Sequence, residues 1–220
     1  MGIKEHFNSI AYRYDYWKEK NSYYYDNVKK LYQSLILLGS KVCEIGCGTG
    51  EILASLDINL GYGIDISEKM VEKAKAKFSE RINLKFEVKD IFEIKSLDYE
   101  YIVLADVLEH IDNPDLFFKR LSQIIRRGTT IIISVANPSW EPVLMFAEKL
   151  GMKMPEGHHK RLSIKRTQDI FLRNGFYITK SGYRLLVPKK LPCSDWINRK
   201  FYKIRILNKF GFIVYWILKK

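Results

Sequence analysis

The sequence predicts an α/β fold built on a doubly wound, mostly parallel sheet of seven strands. Short apolar runs of strand length alternate with amphipathic runs of helix length between residues 40 and 135, which is typical of a parallel sheet with helices on both faces. One of these runs, YIVLAD at residues 101–106, is nearly all apolar, as expected for a strand buried on both faces. The stretch GCGTG at residues 46–50 joins a predicted strand to a predicted helix, where such folds form ligand crevices.

Two amphipathic helices are predicted to open the chain, at about residues 3–19 and 22–38, and to form an N-terminal cap of residues 1–39. Gly39 is the predicted stop of the second helix. Apolar side chains recur at helical spacing along that helix, at Tyr24, Val28, Leu31 and Leu35.

Residues 40–135 are predicted to be the ligand-binding core, with strands KVCEI, LGYGIDI, NLKFEV, YIVLAD and TTIIISV. GTGEILASL is predicted to open a helix after the first strand. The helix SEKMVEKAKAKF has Ser67 as its predicted N-cap and Met70, Val71 and Ala74 on its inner face. The helix NPDLFFKRLSQIIRR is predicted to end at Gly128.

The alternation breaks after Val135. Residues 137–165 contain three prolines and the adjacent His158 and His159, and their length predicts a lid or substrate loop. We expect one domain, in which residues 136–220 form the substrate side and complete the sheet. Its predicted parts are a helix at 166–174, a strand at 176–184, an insertion at 188–208 and a last strand at 212–218.

Composition indicates the cellular compartment in which the chain is expected. The three cysteines, Cys43, Cys47 and Cys193, are odd in number and do not suggest a disulfide framework, so a reducing cytoplasm is expected. The start lacks an apolar segment of signal-peptide length. The longest apolar run, residues 211–218, is far shorter than the roughly 20 residues that span a bilayer.

The positive charge of the chain is concentrated in its last third. Residues 1–150 hold 20 Lys and Arg against 22 Asp and Glu, whereas residues 151–220 hold 17 against 3. This asymmetry suggests an anionic partner, which is a membrane surface, an acidic substrate or nucleic acid. A solvated basic face without a partner explains the same charge.

The glycine-rich loop excludes two kinds of ligand site. A P-loop needs a lysine after its last glycine, and this loop has none. A dinucleotide site needs Gly or Ala where this chain has Glu51, and a carboxylate there would repel a pyrophosphate. S-adenosylmethionine is the remaining interpretation, because it carries no phosphate and has two cationic groups.

The pattern E-x-G-x-G-x-G at Glu44, Gly46, Gly48 and Gly50 resembles the first motif of class I methyltransferases, which have a Rossmann-like sheet. The resemblance implies that Glu44 lies near the methionine part of the cofactor and that the glycines make room for it. Asp65, at the end of the second strand, can accept hydrogen bonds from both ribose hydroxyls. By the same resemblance Asp90 meets the adenine amino group, Ile91 packs on the ring and Asp106 lies beside the methyl group. The expected cofactor-binding set is Tyr12, Glu44, Gly46, Cys47, Gly48, Gly50, Asp65, Ile66, Met70, Asp90, Ile91, Ala105, Asp106 and Val107.

Two further stretches resemble one particular group of methyltransferases. DVLEHI followed by NP, and the opening FNSIAYRYDYW, resemble the small-molecule methyltransferases of ubiquinone and menaquinone biosynthesis. In that group an aromatic residue of the N-terminal helix closes over the cofactor, and Tyr12 and Tyr14 are the candidates. Plain helix packing explains both tyrosines equally well.

Asp106 and His110 are the expected catalytic residues. An oxygen acceptor needs a base, and His110 can serve as one, although a histidine at a helix start can also only pack. His158 and His159 are alternative bases. Asp106, Glu109 and His110 are spaced to share one helical face, as in related quinone O-methyltransferases that bind a divalent cation there. Those enzymes have Glu at the first position, so a metal site stays open here.

The expected acceptor is a small or lipid-like molecule, methylated at oxygen. Residues 196–208 mix aromatic and aliphatic side chains with basic ones, which favours an interfacial helix on an anionic membrane. An RNA methyltransferase that uses the basic last third, and a SAM-binding protein without transferase activity, are the alternatives. No nucleic-acid motif follows the fourth strand, where DVLEH stands, so nucleic acid is the weaker expectation.

Overall fold

The computed structural model describes residues 2–154, 162–200 and 208–220, and it confirms the predicted fold class. The strands are β1 Lys41–Ile45, β2 Leu60–Asp65, β3 Leu84–Val88, β4 Tyr101–Ala105, β5 Thr130–Ala136, β6 Tyr177–Arg184 and β7 Ile213–Lys219. The helices are α1 Ile3–Lys20, α2 Ser22–Leu35, α3 Glu51–Ala54, α4 Glu68–Lys77, α5 Pro114–Ile124, α6 Glu141–Lys149, α7 Ile164–Arg173 and α8 Ser194–Lys200. Short 3₁₀ helices lie at Ile91–Glu93, Leu108–His110 and Pro138–Trp140.

The seven strands form one sheet in the order β3-β2-β1-β4-β5-β7-β6. Strands β1 to β5 are parallel, and β7 lies antiparallel between β5 and β6. The carboxyl ends of the five parallel strands therefore meet at one edge of the sheet. The loops that follow β1, β2, β3, β4 and β5 all leave from this edge, where ligands bind in open α/β sheets.

A hydrophobic core covers each face of the sheet, which explains why β4 and β5 are largely apolar. On one face the aromatic rings of α5 and α7, including Phe118 and Phe171, pack against Trp216 of β7. On the other face Leu31 of α2 and Leu53 of α3 pack over β1 and β4. Burial of these side chains is the main favourable contribution to the fold.

The structure corrects the predicted ends of α2 and α5. Helix α2 ends at Leu35, three residues early, because Ile36 is already extended; Gly39, with φ +73°, lies in the turn beyond. Helix α5 ends at Ile124 rather than at Gly128, because Ile125 is extended and forms a β-bridge with Leu97.

The helix predicted from GTGEILASL has only the four residues of α3. The expected lid segment contains a 3₁₀ turn and α6, and its His158 and His159 lie outside the described residues. Of the predicted interfacial segment 196–208, residues 201–207 likewise lie outside them. In the described part of the chain, no helix is long and apolar enough to cross a membrane.

Candidate active site

A cavity of about 800 Å³ opens at the carboxyl edge of the sheet. The loops after the five parallel strands form its floor, and α1, α2 and α6 contribute side chains above it. Its volume lies in the range of about 300–1,000 Å³ that is usual for small-molecule sites. Most of the expected cofactor-binding residues line it, namely Glu44, Gly46, Cys47, Gly48, Asp65, Ile66, Met70, Asp90, Ile91, Ala105, Asp106 and Val107.

The glycines of the loop have different roles. All three have positive φ, which favours glycine: +75° at Gly46, +52° at Gly48 and +79° at Gly50. A Cβ at Gly46 would collide with Val107, whereas one at Gly48 would lie 3.6 Å from the Tyr14 ring. The backbone N–H of Gly46 donates to the carbonyl of Ile64 at 2.8 Å, which fixes the loop against β2.

Gly50, which the sequence predicts to bind the cofactor, is placed differently from the other two glycines of the loop. Gly50 does not line the cavity, and a Cβ there would lie 2.7 Å from the ring of Phe86. Gly50 precedes the first residue of α3 in a left-handed conformation, so it serves the turn and the packing beneath it.

Asp65 holds the loop in place from the end of β2. Its Oδ2 accepts a 2.8 Å hydrogen bond from the N–H of Gly48, and its Oδ1 accepts a 2.9 Å bond from the N–H of Ser67. Burial raises the pKa of Asp65. Each carboxylate oxygen keeps a further lone pair, so the side chain can still accept from the hydroxyls of a ribose.

Glu44 and Lys18 are both buried beside the loop. Glu44 is 2% exposed, and its Oε2 accepts a 3.1 Å hydrogen bond from the N–H of Leu53. Burial raises the pKa of Glu44 to about 8, and burial lowers the pKa of Lys18. The Lys18 ammonium lies 4.9 Å from the centre of the Tyr14 ring and 4.0 Å from Oε2 of Glu51.

Lys18 is a cavity-lining residue that the sequence analysis missed. Its only sequence signal is its position four residues after Tyr14, which places both side chains on one face of α1. Tyr14 and Lys18 line the cavity, whereas Tyr12 is 74% exposed and is not among its lining residues. The structure therefore places Tyr14, rather than Tyr12, over the glycine loop.

Asp90 and Ile91 line the cavity at the end of β3, the expected adenine side. Oδ1 of Asp90 accepts a 3.0 Å hydrogen bond from the N–H of Phe92, and Glu93 caps the Asp90 N–H in return. This capping box fixes the turn that presents the buried side chain of Ile91.

Asp106 and His110 lie at the end of β4. Asp106 has φ +53°, its N–H donates to the carbonyl of Ser134 at 2.9 Å, and its Oδ2 accepts a 2.6 Å hydrogen bond from the hydroxyl of Tyr24. The His110 ring packs edge-on against Phe7 of α1, with centroids 5.0 Å apart. Through the Tyr24–Asp106 bond and the Phe7–His110 contact, α2 and α1 pack directly on the loop that follows β4.

Glu109 is buried, and it lines the cavity together with Asp106 and His110. Across residues 2–154, 162–200 and 208–220, however, no group of three or more His, Cys, Asp or Glu side chains is arranged to hold a metal ion. The sequence spacing of these three residues therefore does not produce a set of metal ligands in this geometry.

The chemistry of the cavity fits a cationic cofactor with a ribose and an adenine. Four acidic side chains, Glu44, Asp65, Asp90 and Asp106, lie at or just after the carboxyl ends of four neighbouring strands. Such a row suits the ammonium, the ribose hydroxyls and the sulfonium of S-adenosylmethionine, and it would repel a pyrophosphate. The buried ammonium of Lys18 adds one cation opposite the row, where a carboxylate of the same ligand can be bound.

Comparison with known proteins agrees with this geometry. The methyltransferase domain family matches residues 16–181. Mitochondrial ubiquinone biosynthesis O-methyltransferase from Dictyostelium discoideum is 27% identical over 167 residues, covering 67% of this chain and 52% of that protein. The chain spans between about half and two thirds of the length of such curated relatives.

Solved structures show the same fold at low sequence identity. A SAM-dependent methyltransferase from Thermotoga maritima, described as a possible histamine N-methyltransferase, has a TM-score of 0.73 and 17% identity over 99% of both chains. Magnesium protoporphyrin IX methyltransferase from Synechocystis, solved with bound SAH, has a TM-score of 0.64 and 21% identity, covering 99% of this chain and 97% of that one.

Proposed function

The chain belongs to the methyltransferase domain family, with S-adenosylmethionine as its cofactor, and we propose that it transfers the methyl group to an oxygen of a small, largely apolar acceptor. The predicted family and cofactor are confirmed by this membership. The acceptor and the methylated atom are our proposal, and the ubiquinone O-methyltransferase relatives support an oxygen.

One observation carries the proposal. The cavity that adjoins the glycine loop is also lined by apolar side chains of the lid segment, from the 3₁₀ turn through α6 to the residues that follow it. These are Trp140, Val143, Leu144, Ala147, Met152 and Met154. A cofactor bound along the strand ends would therefore meet an acceptor whose body packs against apolar walls and whose reactive atom lies near Asp106 and His110.

S-adenosylmethionine supplies a methyl group on its sulfonium. An acceptor oxygen can attack the carbon of that methyl group in line with the sulfur. The protein contributes position and exclusion of water. Asp65 and Glu44 orient the cofactor, Tyr14 covers the loop, and His110 accepts the hydroxyl proton of the acceptor at a ring nitrogen. The Phe7 ring keeps the His110 imidazole in place.

Calorimetry with S-adenosylhomocysteine tests the cofactor site. We expect roughly micromolar binding by the wild type and at least about tenfold weaker binding by Asp65→Ala and Asp65→Asn, since one charged hydrogen-bonding partner is worth about that much. Asp98→Ala is the matched control, because Asp98 is a largely exposed carboxylate that lies outside the cavity lining.

A folded wild type that does not bind S-adenosylhomocysteine would contradict the proposed function. A subsequent screen measures transfer of labelled methyl groups to phenols, catechols, amines and RNA. Labelling of amines or RNA alone would show that the oxygen acceptor is wrong.

We also propose that the mouth of the cavity touches an anionic membrane. Large apolar side chains are exposed on α6, directly after it and on α8, with Phe146 64%, Leu150 56% and Trp196 51% exposed. The basic excess of residues 151–220 supplies attraction to anionic lipid. Such a contact would admit a lipid-like acceptor directly into the cavity.

Flotation with phosphatidylglycerol and with phosphatidylcholine vesicles tests this contact. We expect the wild type to float only with phosphatidylglycerol, and Phe146→Glu to remain in solution. Ile82→Glu is the control, because Ile82 is fully exposed before β3, at the opposite edge of the sheet. A wild type that binds neither vesicle at low salt would rule the contact out.

A further inference from the structure

Helix α1 turns its apolar face toward the cavity. Ile3, Phe7 and Tyr14 lie on one side of this helix, and all three line the cavity. Of the residues of α1, only Ala11 and Lys18 are buried. A cofactor bound beneath α1 would complete the burial of the apolar face, so cofactor binding and the closed position of α1 favour each other.

A set of charged side chains outside the cavity joins α1 to α4. The carboxylate of Asp15 accepts a 3.2 Å hydrogen bond from the ammonium of Lys73 at Oδ2 and a 2.7 Å bond from that of Lys77 at Oδ1. We call these three residues the charge clamp. Their side chains are 32%, 33% and 32% exposed, so solvent screens the pairs only in part. None of the three lines the cavity.

The charge clamp continues to the glycine loop. The ammonium of Lys77 also donates to Oε1 of Glu51 at 2.7 Å, and Glu51 is the first residue of α3, directly after the loop. Nearer the start of α1, Asn8 accepts from the hydroxyl of Ser67 at 2.7 Å and donates to Oε2 of Glu68 at 3.0 Å. Polar side chains therefore hold α1 on α4 at two levels.

Contacts of this kind suit a cover that can open. Partly exposed ion pairs are individually weak, and an element with few buried apolar contacts opens at low cost. Because residues from Ile3 to Lys18 line the cavity, opening of α1 would uncover it. The same motion would remove the Phe7 ring from His110, where the ring centroids are 5.0 Å apart in the closed position.

We propose that the charge clamp holds α1 closed over the bound cofactor, and that its release sets the rate at which S-adenosylhomocysteine leaves. The proposal rests on the proposed function, since it needs the cofactor in this cavity. Asp15, Lys73 and Lys77 are positioning residues, because they act through α1 and do not line the cavity. Salt should weaken the charge clamp and so speed release of the product.

Surface plasmon resonance tests the proposal, because it gives the rate constant for dissociation of S-adenosylhomocysteine from the immobilised protein. At low salt we expect Asp15→Ala to release the ligand about threefold to tenfold faster than the wild type, the effect of two weak ion pairs. Lys73→Met should have a smaller effect, and none in a chain that already carries Asp15→Ala, since both changes remove one contact. Added salt should speed release from the wild type more than from Asp15→Ala.

Exposed residues of the same two helices supply controls. Glu19 of α1 and Lys75 of α4 take no part in the charge clamp, so Glu19→Ala and Lys75→Met should keep the wild-type dissociation rate. Hydrogen exchange separates opening of α1 from general unfolding. With S-adenosylhomocysteine bound, residues 3–17 should exchange faster in Asp15→Ala than in the wild type, whereas β4 should exchange equally in both.

An unchanged dissociation rate in Asp15→Ala, or an equal increase in Glu19→Ala, would overturn the proposal. Faster exchange of β4 in Asp15→Ala would overturn it too, because the variant would then act on the whole fold. In each of these cases S-adenosylhomocysteine still binds, and the proposed function stands. A folded wild type that does not bind S-adenosylhomocysteine would overturn both.

Discussion

The hydroxyl of Tyr24 donates a 2.6 Å hydrogen bond to Oδ2 of Asp106 and so joins α2 to the residue that follows β4. Burial, together with the neighbouring Asp106 carboxylate, raises the pKa of Tyr24 well above its usual value, so the phenol remains a donor at every physiological pH. Asp106 has a left-handed backbone at φ +53°, which is costly for a residue other than glycine. The bond to Tyr24 helps to hold that conformation.

Tyr24→Phe should lower the free energy of unfolding by about 1–3 kcal/mol, because it leaves a buried carboxylate oxygen with one donor fewer. Urea unfolding measures this change. Tyr12→Phe is the control, since Tyr12 is 74% exposed and the loss of its hydroxyl should cost little. Equal costs for the two variants would show that the Tyr24 bond does not support Asp106.

Gly50→Ala should destabilise the fold more than Gly175→Ala. Both glycines have a φ near +80°, so both variants carry the same backbone strain of roughly 1–2 kcal/mol. A Cβ at Gly50 also lies 2.7 Å from the Phe86 ring, whereas nothing lies within 4 Å of one at Gly175. The added overpacking should cost about 1–3 kcal/mol more in thermal or urea unfolding. Equal destabilisation would mean that Phe86 can move aside.

Stability should fall with rising pH because of Glu44. Its pKa is raised by burial from 4.5 to about 8, so the folded chain keeps a proton that the unfolded chain has released. The resulting stabilisation is complete below about pH 4.5 and is lost as the pH rises toward about 8. Urea unfolding across this range should show a steeper decline for the wild type than for Glu44→Gln, which does not titrate.

The lowered pKa of Lys18 acts with the opposite sign, because the folded chain releases that proton before the unfolded chain does. Glu44→Gln also removes the charge that raises the pKa of Lys18, so the comparison reports on the two groups together. Parallel pH profiles for the two proteins would contradict the raised pKa of Glu44.

His110→Asn should lower the turnover of an oxygen acceptor by roughly 10²–10⁴-fold, the usual contribution of a general base. Its affinity for S-adenosylhomocysteine should not change, since the cofactor is held by the glycine loop and Asp65. His6→Asn is the control, because His6 contacts Phe7 but does not line the cavity. Unchanged turnover in His110→Asn would assign the imidazole to packing alone.

The sequence predicted the ligand-binding core of residues 40–135 well where the role of a residue follows from the pattern around it. Ser67 accepts from the N–H of Met70 as a helix cap, and this role depends on neighbours in sequence. Asp65 lies beside the glycine loop because the parallel strands β1 and β2 end at the same edge of the sheet. The apolar runs predicted the strands, because a strand that is buried on both faces of the sheet needs apolar side chains on both.

The structure differs from the sequence predictions where distant parts of the chain meet. Gly50 is explained by the ring of Phe86, and the end of α5 by a bridge to Leu97, and neither partner is visible in the local pattern. The choice between Tyr12 and Tyr14 depends on which side of α1 faces the sheet edge. Lys18 was not predicted as a site residue because a lysine on a helix is usually solvated. Only the tertiary fold shows that it is buried.

The place of β7 in the sheet also affects how the protein is made. Among the strands that the structure describes, β7 is the last in sequence, yet it lies inside the sheet and pairs with both β5 and β6. During synthesis on the ribosome, β5 therefore keeps an unpaired edge, and β6 lacks its neighbour in the sheet, until residues 213–219 are available. An exposed strand edge can pair with other chains, so the growing chain is prone to aggregation until β7 is in place.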